Sequence, residues 1–262
     1  YWSWICVGEN VPEGNILMDI QVISEDNCPF LQIDNFFDES EQANIWRELD
    51  YYDAGKCWNN DPRDPTRARE EDGTVLARNS RIYLDNIYRA SHRLFSPVLT
   101  HHMKIYSAPV INAYKDMCPA SRTVVKVNQD KTFLSYYGHD DEYKFHTDGN
   151  DHSVLIYFHK EPKAFEGGDL MFEDSGVTVE CKHNRMVMFP SFYLHASSRL
   201  IMSATNEIGA GKYTISSFLW KKAPKPLGAW EEKGTSSWPP STSSQRVSKD
   251  GTPQQVGMGP LL

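Results

Sequence analysis

The sequence predicts a mainly β protein of the α+β kind, in which N-terminal helices support a sandwich or barrel of short strands. Seven short β-branched or aromatic runs fall between about residues 122 and 220, punctuated by Gly, Asp and Asn. A capped, amphipathic helical pattern stands ahead of them, near residues 38–52. After Trp220 the composition turns to Ser, Pro and Gly, which bury too little apolar surface to offset the entropy of ordering. The chain has 262 residues, 40% hydrophobic and 12% aromatic, enough for one sizeable core.

Residues 1–29 mix aromatic and polar side chains and form an unassigned N-terminal extension. "FLQID" (30–34) reads as a short strand leading into a helix. Asp38 is its N-cap and Glu41, three residues on, completes a capping box. Ile45, Trp46 and Leu49 then share one helical face. Residues 53–80 form a long charged loop, and its run "RAREED" (67–72) reads as a solvated face. A second helical region spans 91–117, interrupted or bounded by Pro97 and Pro109, with His101-His102 solvated on it. The strands follow: "TVVKV", "TFLSYY", "SVLIYFH", "GDLMF", "VTVEC", "RMVMF" and "YTISSFLW". One domain is therefore expected over 30–222, with its β core at about 120–222, and a flexible tail over 223–262.

The net charge of −8 disfavours sequence-independent nucleic-acid binding, which needs Lys and Arg to neutralise phosphates. No run of ~18 apolar residues suggests a membrane span. Five scattered cysteines without a C-x-x-C point to a reducing compartment. The expectation is a soluble, cytoplasmic chain with no membrane partner.

Three features bear chemistry. In "YKFHTDGND", His146 and Asp148 are two residues apart, so an extended strand would aim both at one point. That suits a metal or a simple hydrogen bond equally. His195 follows the apolar strand "RMVMFPS" several strands later. Two His and one carboxylate make a facial triad, which covers one face of an octahedral Fe(II) and leaves three positions open. A structural zinc site would be closed by four ligands and usually include Cys. Finally, in "GKYTISSFLW" Lys212, Thr214 and Ser216 alternate with their neighbours. If that strand lines a barrel, Lys212 points inward, and an anionic small molecule would neutralise it. Taken alone, each residue has a bland reading: a core His–Asp hydrogen bond, a surface lysine, a turn at Gly167-Gly168.

The ordered set "SYYG", "HTD", "LIYFH", "EGGDL", "MFPSFYLH" and "GKYTISSFLW" resembles the Fe(II)- and 2-oxoglutarate-dependent dioxygenases, in particular their prolyl 4-hydroxylase-like branch. The resemblance covers about 120–220, and "IDNFFDESEQANIWREL" resembles the usual entry to that fold. It implies a double-stranded β-helix, a jelly-roll or cupin-like barrel, with N-terminal supporting helices. It implies Fe(II) on His146, Asp148 and His195. It also implies 2-oxoglutarate held through its far carboxylate by Lys212, Tyr157 and Thr214, with Tyr137 close by. Tyr136 is the alternative to Tyr137. O2 and, as an auxiliary reductant, ascorbate complete the implied cofactors. The implied reaction hydroxylates an unactivated C–H, foremost of a prolyl residue in a peptide or protein, and releases succinate and CO2.

Two departures stand out. Lys212 lies farther beyond His195 than in the usual pattern, so Arg199 is a rival anchor. "YYGHDDEY" also lacks the Pro-Gly that often follows this Tyr, which leaves the substrate open. The alternatives are a hydroxylase of a free amino acid or other small molecule, and a non-catalytic β-barrel binding protein. The nucleic-acid demethylase branch, with two arginines on its last strand, fits less well.

Overall fold

The computed structural model describes residues 18–24, 28–202 and 209–223; most of the N-terminal extension and the predicted tail lie outside them. In chain order the elements are β1 (Asp19–Ile23), β2 (Phe30–Asp34), α1 (Glu39–Ala54), β3 (Ala77–Arg78), β4 (Ser80–Tyr83), α2 (Leu84–Ile87), α3 (Pro97–His102), α4 (Ala108–Lys115), β5 (Gln129–Tyr137), β6 (Glu142–His146), β7 (His152–Phe158), β8 (Phe165–Glu166), β9 (Leu170–Phe172), β10 (Thr178–Val179), β11 (Arg185–Pro190), β12 (His195–Ser197), β13 (Ile201–Met202) and β14 (Lys212–Trp220). Among the described residues no helix is long and apolar enough to cross a membrane.

The start of α1 follows from its capping box. Asp38 Oδ1 accepts the Glu41 N–H at 2.9 Å, and Glu41 Oε2 accepts the Asp38 N–H at 2.9 Å. The helix buries Ile45, Leu49 and Tyr52 against the sheet and the later helices. Its buried Glu48 takes the Ser96 hydroxyl and the Val98 N–H, which ties α1 to the N-terminus of α3. Pro97 and Pro109 sit in the first turns of α3 and α4, where a missing N–H costs nothing.

A seven-stranded sheet runs β1-β2-β11-β7-β14-β5-β4, and a five-stranded sheet runs β10-β9-β12-β6-β3; a short β13-β8 ribbon joins them. From β5 onward the chain crosses repeatedly between the two larger sheets: β5, β7, β11 and β14 enter the larger, β6, β9, β10 and β12 the smaller. All pairings are antiparallel. This is a double-stranded β-helix, the jelly-roll architecture. Alternation along the large sheet separates two cores. Leu134, Tyr136, Ile156, Phe158 and Ile215 pack on the helices, while Tyr137, Leu155, Tyr157 and Val187 turn to the small sheet. The second face carries the site.

Three local expectations are corrected. "TVVKV" is not a strand but a 3₁₀ turn over Ser121–Lys126. The Ser121 hydroxyl accepts the Cys118 N–H and donates to the Cys118 carbonyl, and of the apolar residues only Val124 is buried, so local hydrogen bonds override β propensity. His102 is not solvated; it is fully buried, with Nδ1 on the Leu99 carbonyl and Nε2 on Thr132 Oγ1. In the charge run, Arg67 is buried because backbone carbonyls of Asp61, Ala77, Asn59 and Asn79 receive its guanidinium. The large sheet also gains β1 and β4, and the small sheet β3, strands whose sequences carry no alternation long enough to announce them.

Candidate active site

His146 ends β6 and His195 begins β12, and the two are direct partners in the antiparallel ladder. Asp148 lies just beyond β6, its backbone N–H on the Ser191 carbonyl. The structure thus brings the three residues together. One ligand atom from each lies within 4.8 Å of the others, with both imidazole Nε2 atoms 3.6 Å from the Asp148 carboxylate. In both imidazoles Nδ1 is 2.8 Å from a backbone carbonyl, Lys144 O for His146 and Tyr193 O for His195. A carbonyl can only accept, so the proton sits on Nδ1 and the Nε2 lone pair faces inward. Burial works against charge on Asp148, yet His146 and His195 beside it, whenever either is protonated, and the Ser153 hydroxyl at 2.5 Å hold its carboxyl below the usual range. Burial pushes the His195 imidazole down, against the pull of Asp148, which favours the neutral, ligating form. Two neutral imidazoles and one carboxylate are a donor set suited to a divalent transition metal with open positions.

The pairing of β12 with β6 shifts register between His195 and Ser197: two steps on β12 match three on β6. This bulge puts Tyr143 and His146 on one face. Their rings stack with centroids 3.6 Å apart and an interplanar angle of 9°. The bulge is invisible in sequence, and so is the role of Tyr143 in holding the imidazole plane.

From the triad a narrow cavity runs along the inner face of the large sheet, lined among others by Tyr137, Tyr157, Lys212, Thr214, Phe133 and Leu155. Lys212 is 1% exposed. Its ammonium donates to Gly168 O at 2.8 Å and Ser197 Oγ at 2.6 Å, and lies 4.1 Å from the centroid of Tyr137. Among the described residues it makes no ion pair. Burial presses its pKa down to about 8, partly countered by Cys181 and Asp169. Tyr157 Oη and Thr214 Oγ1 are buried without a hydrogen-bond partner, and burial raises the Tyr157 phenol well above its ordinary value, so it stays a donor. A buried cation beside two orphaned hydroxyls is the wall a carboxylate would complete.

Gly167 and Gly168 are more than a loose turn. Both have positive φ, and a Cβ on Gly167 would come within 2.2 Å of the Arg199 carbonyl oxygen. The turn they allow aims the Gly168 carbonyl at Lys212. The rival cation Arg199 instead has a side chain 54% exposed and pairs with Asp140 at 2.7 Å. Tyr136 lies on the helix side of the sheet, its hydroxyl accepting the Gly209 and Gly211 N–H groups, while Tyr137 faces the cavity. The segment 203–208 between His195 and Lys212 lies outside the described residues.

Residues 132–220 match the 2OG-Fe(II) oxygenase superfamily. Solved structures with similar folds include a prolyl-4-hydroxylase from Pseudomonas putida, 15% identical, covering 74% of this chain and 93% of that one with a TM-score of 0.48. A 2OG-Fe(II) oxygenase family oxidoreductase from Burkholderia pseudomallei is 15% identical, covering 73% and 84% with a TM-score of 0.44. The α-ketoglutarate-dependent epimerase SnoN of nogalamycin biosynthesis is 11% identical, covering 79% and 86% with a TM-score of 0.46. A comparison with curated proteins finds no match.

Proposed function

We propose that this chain, whose residues 132–220 belong to the 2OG-Fe(II) oxygenase superfamily, is an Fe(II)- and 2-oxoglutarate-dependent dioxygenase that hydroxylates an unactivated C–H, foremost of a prolyl residue in a peptide or protein. Members of this superfamily use Fe(II), 2-oxoglutarate and O2. The observation that carries the reading is the meeting, in one cavity, of a three-donor set and a buried cation flanked by unpartnered hydroxyls. The prolyl assignment rests on the ordered motifs in the sequence.

In this reading His146, Asp148 and His195 hold the iron. Their fit is supported by the two Nδ1–H···O=C bonds, which present Nε2 lone pairs, and by a carboxyl kept ionised. The iron supplies activation of O2, driven by decarboxylation of 2-oxoglutarate to succinate and CO2. Lys212 receives the far carboxylate of 2-oxoglutarate, and Tyr157 and Thr214 donate to it, which satisfies two atoms otherwise orphaned. Tyr143 keeps the His146 ring from turning. The apolar walls Phe133, Leu155 and Phe218 exclude water, so the oxidising equivalent meets a C–H bond rather than solvent.

The test is succinate formation by the protein with Fe(II) and 2-oxoglutarate, with and without Pro-containing peptides or free amino acids, followed by mass gain of one oxygen. A gain on the peptide supports the prolyl reading. A gain only on free amino acids keeps the chemistry and moves the substrate. No iron-dependent succinate under any condition leaves a binding protein.

A further inference from the structure

Among the described residues three arginines are buried: Arg67, Arg81 and Arg185. Arg67 donates to four backbone carbonyls and, at 3.5 Å, to Asn79 Oδ1. Arg185 is paired with Asp34, Nε to Oδ1 at 2.6 Å and Nη2 to Oδ2 at 3.0 Å. Arg81 differs. It is 4% exposed, its Nε donates to Asn79 Oδ1 at 2.9 Å, and it makes no ion pair. Its Nη2 is buried without a partner, and so is Nδ2 of Asn79 beside it. Leaving a buried charged group unsatisfied is costly.

The ladder fixes where this group stands. Arg81 pairs with Ser135, Ser135 with Thr214, Thr214 with Tyr157, and Tyr157 with Arg185. Residues directly opposite in antiparallel strands share a face. This row therefore crosses the inner face of the large sheet, with Ser135, Thr214 and Tyr157 lining the cavity. An arginine stands at each end. The β11 end is neutralised by Asp34; the β4 end, at the sheet edge, has no counterion among the described residues. The Arg81 guanidinium lies between the rings of Phe133, at 5.7 Å, and Tyr143, at 5.6 Å, both cavity walls. Tyr143 in turn stacks on His146. A group held by Arg81 would thus lie one ring away from the triad, on the same face of the large sheet as Lys212 but at its β4 edge.

We propose that Arg81, with Asn79, is the recognition point for a carboxylate carried by the primary substrate, which completes the row at its unneutralised end. This rests on the oxygenase reading and narrows its substrate to anionic molecules. The cosubstrate's own near carboxylate is the other source of the same chemistry, and the experiment separates the two.

The probes are the N-acetyl derivatives of proline, leucine and lysine, each as free acid and as amide, titrated calorimetrically into protein loaded with Mn(II) and 2-oxoglutarate. At least one acid should bind about ten- to a hundred-fold more tightly than its amide, the range for one charge-assisted hydrogen bond. Arg81→Gln should remove that difference. Asn79→Asp keeps the acceptor that Arg81 and Arg67 use and adds a carboxylate beside Arg81, as Asp34 does for Arg185. It should fold and likewise lose the preference for acids. If no acid binds better than its amide, or if Asn79→Asp keeps the preference, the proposal is overturned. It is overturned too if the Arg81→Gln or Asn79→Asp loss falls on 2-oxoglutarate affinity. Failure of the underlying reading shows separately, as absence of iron-dependent succinate formation in the unaltered protein.

Discussion

The two ends of the cavity are built on opposite terms. At the triad each imidazole Nδ1 is held by a carbonyl and Asp148 by the Ser153 hydroxyl, while the two Nε2 lone pairs face the Asp148 carboxylate at 3.6 Å. At the Lys212 end an ammonium leans on a carbonyl, a hydroxyl and an aromatic face while two hydroxyls stay unpartnered. The first end is preorganised and carries one carboxylate charge that a cation would balance. The second is electrostatically unfinished until an anion arrives. The metal pole should therefore respond to substitution in an all-or-none way, and the carboxylate pole in graded fashion.

The largest effect is expected at the first pole. His146→Ala or His195→Ala should lower metal affinity by more than the roughly 100-fold that losing an outer partner of a ligand can cost. Turnover should vanish while the far-ultraviolet circular dichroism is retained. Metal binding by equilibrium dialysis checks this, and unaltered affinity in either variant would break the comparison at its stronger end.

Next comes Lys212→Ala. Losing a charge-assisted hydrogen bond costs on the order of 1.5–3 kcal/mol, or roughly ten- to a hundred-fold in KM for 2-oxoglutarate. Metal affinity should hardly move. Arg199→Ala, at an exposed pair with Asp140, should leave KM within about two-fold, since such pairs are worth little. The reverse pattern would reassign the anchor to Arg199.

The pH dependence sharpens the contrast further. Burial holds the Lys212 pKa at about 8, below its ordinary 10.5. The unliganded protein therefore carries the charge below about pH 8 and loses it above. A bound carboxylate favours the charged form, so binding takes up a proton on the alkaline side. Affinity for 2-oxoglutarate should fall by up to about ten-fold per pH unit above about 8. Lys212→Arg, which stays charged, should flatten this limb. A limb that persists in Lys212→Arg would assign the titration to another group.

The smallest effect separates binding from stability. Thr214→Val replaces an orphaned buried hydroxyl by a methyl of the same shape. Thermal stability should stay level or rise slightly, while 2-oxoglutarate affinity falls by about ten-fold, the lower end for a hydrogen bond to a charged acceptor, since Lys212 already neutralises that carboxylate. A joint fall in both would show that the hydroxyl already has a structural partner.

The same contrast explains what the sequence reveals. His146 and Asp148 stand out because their spacing survives the strand's end, and His195 because an apolar strand leads to it. Lys212 and Thr214 stand out through the two-residue period of β14. These are local patterns. Tyr143 shares a face with His146 only through a bulge, which depends on how β6 meets β12. Ser153 reaches Asp148 from the next strand, and Arg81 shares a face with the cavity residue Ser135 only because β4 pairs with β5 at one particular register. Arg67 in its charge run and His102 in its helix defeat composition for the same reason. Their partners, carbonyls and a threonine, lie in other elements. The β-branched "TVVKV" fails in the opposite sense: its neighbour Ser121 bonds back to the Cys118 backbone, and the run coils into a 3₁₀ turn.

The central claim is that one cavity joins a metal pole to a carboxylate pole in a working oxygenase. It is tested most directly by succinate formation from 2-oxoglutarate with Fe(II), compared across the unaltered protein, His195→Ala and Lys212→Ala as cosubstrate concentration is raised. The unaltered protein should form succinate, His195→Ala none at any concentration, and Lys212→Ala should recover at high 2-oxoglutarate. Full succinate formation by His195→Ala, or a Lys212→Ala defect that no concentration relieves, would contradict it.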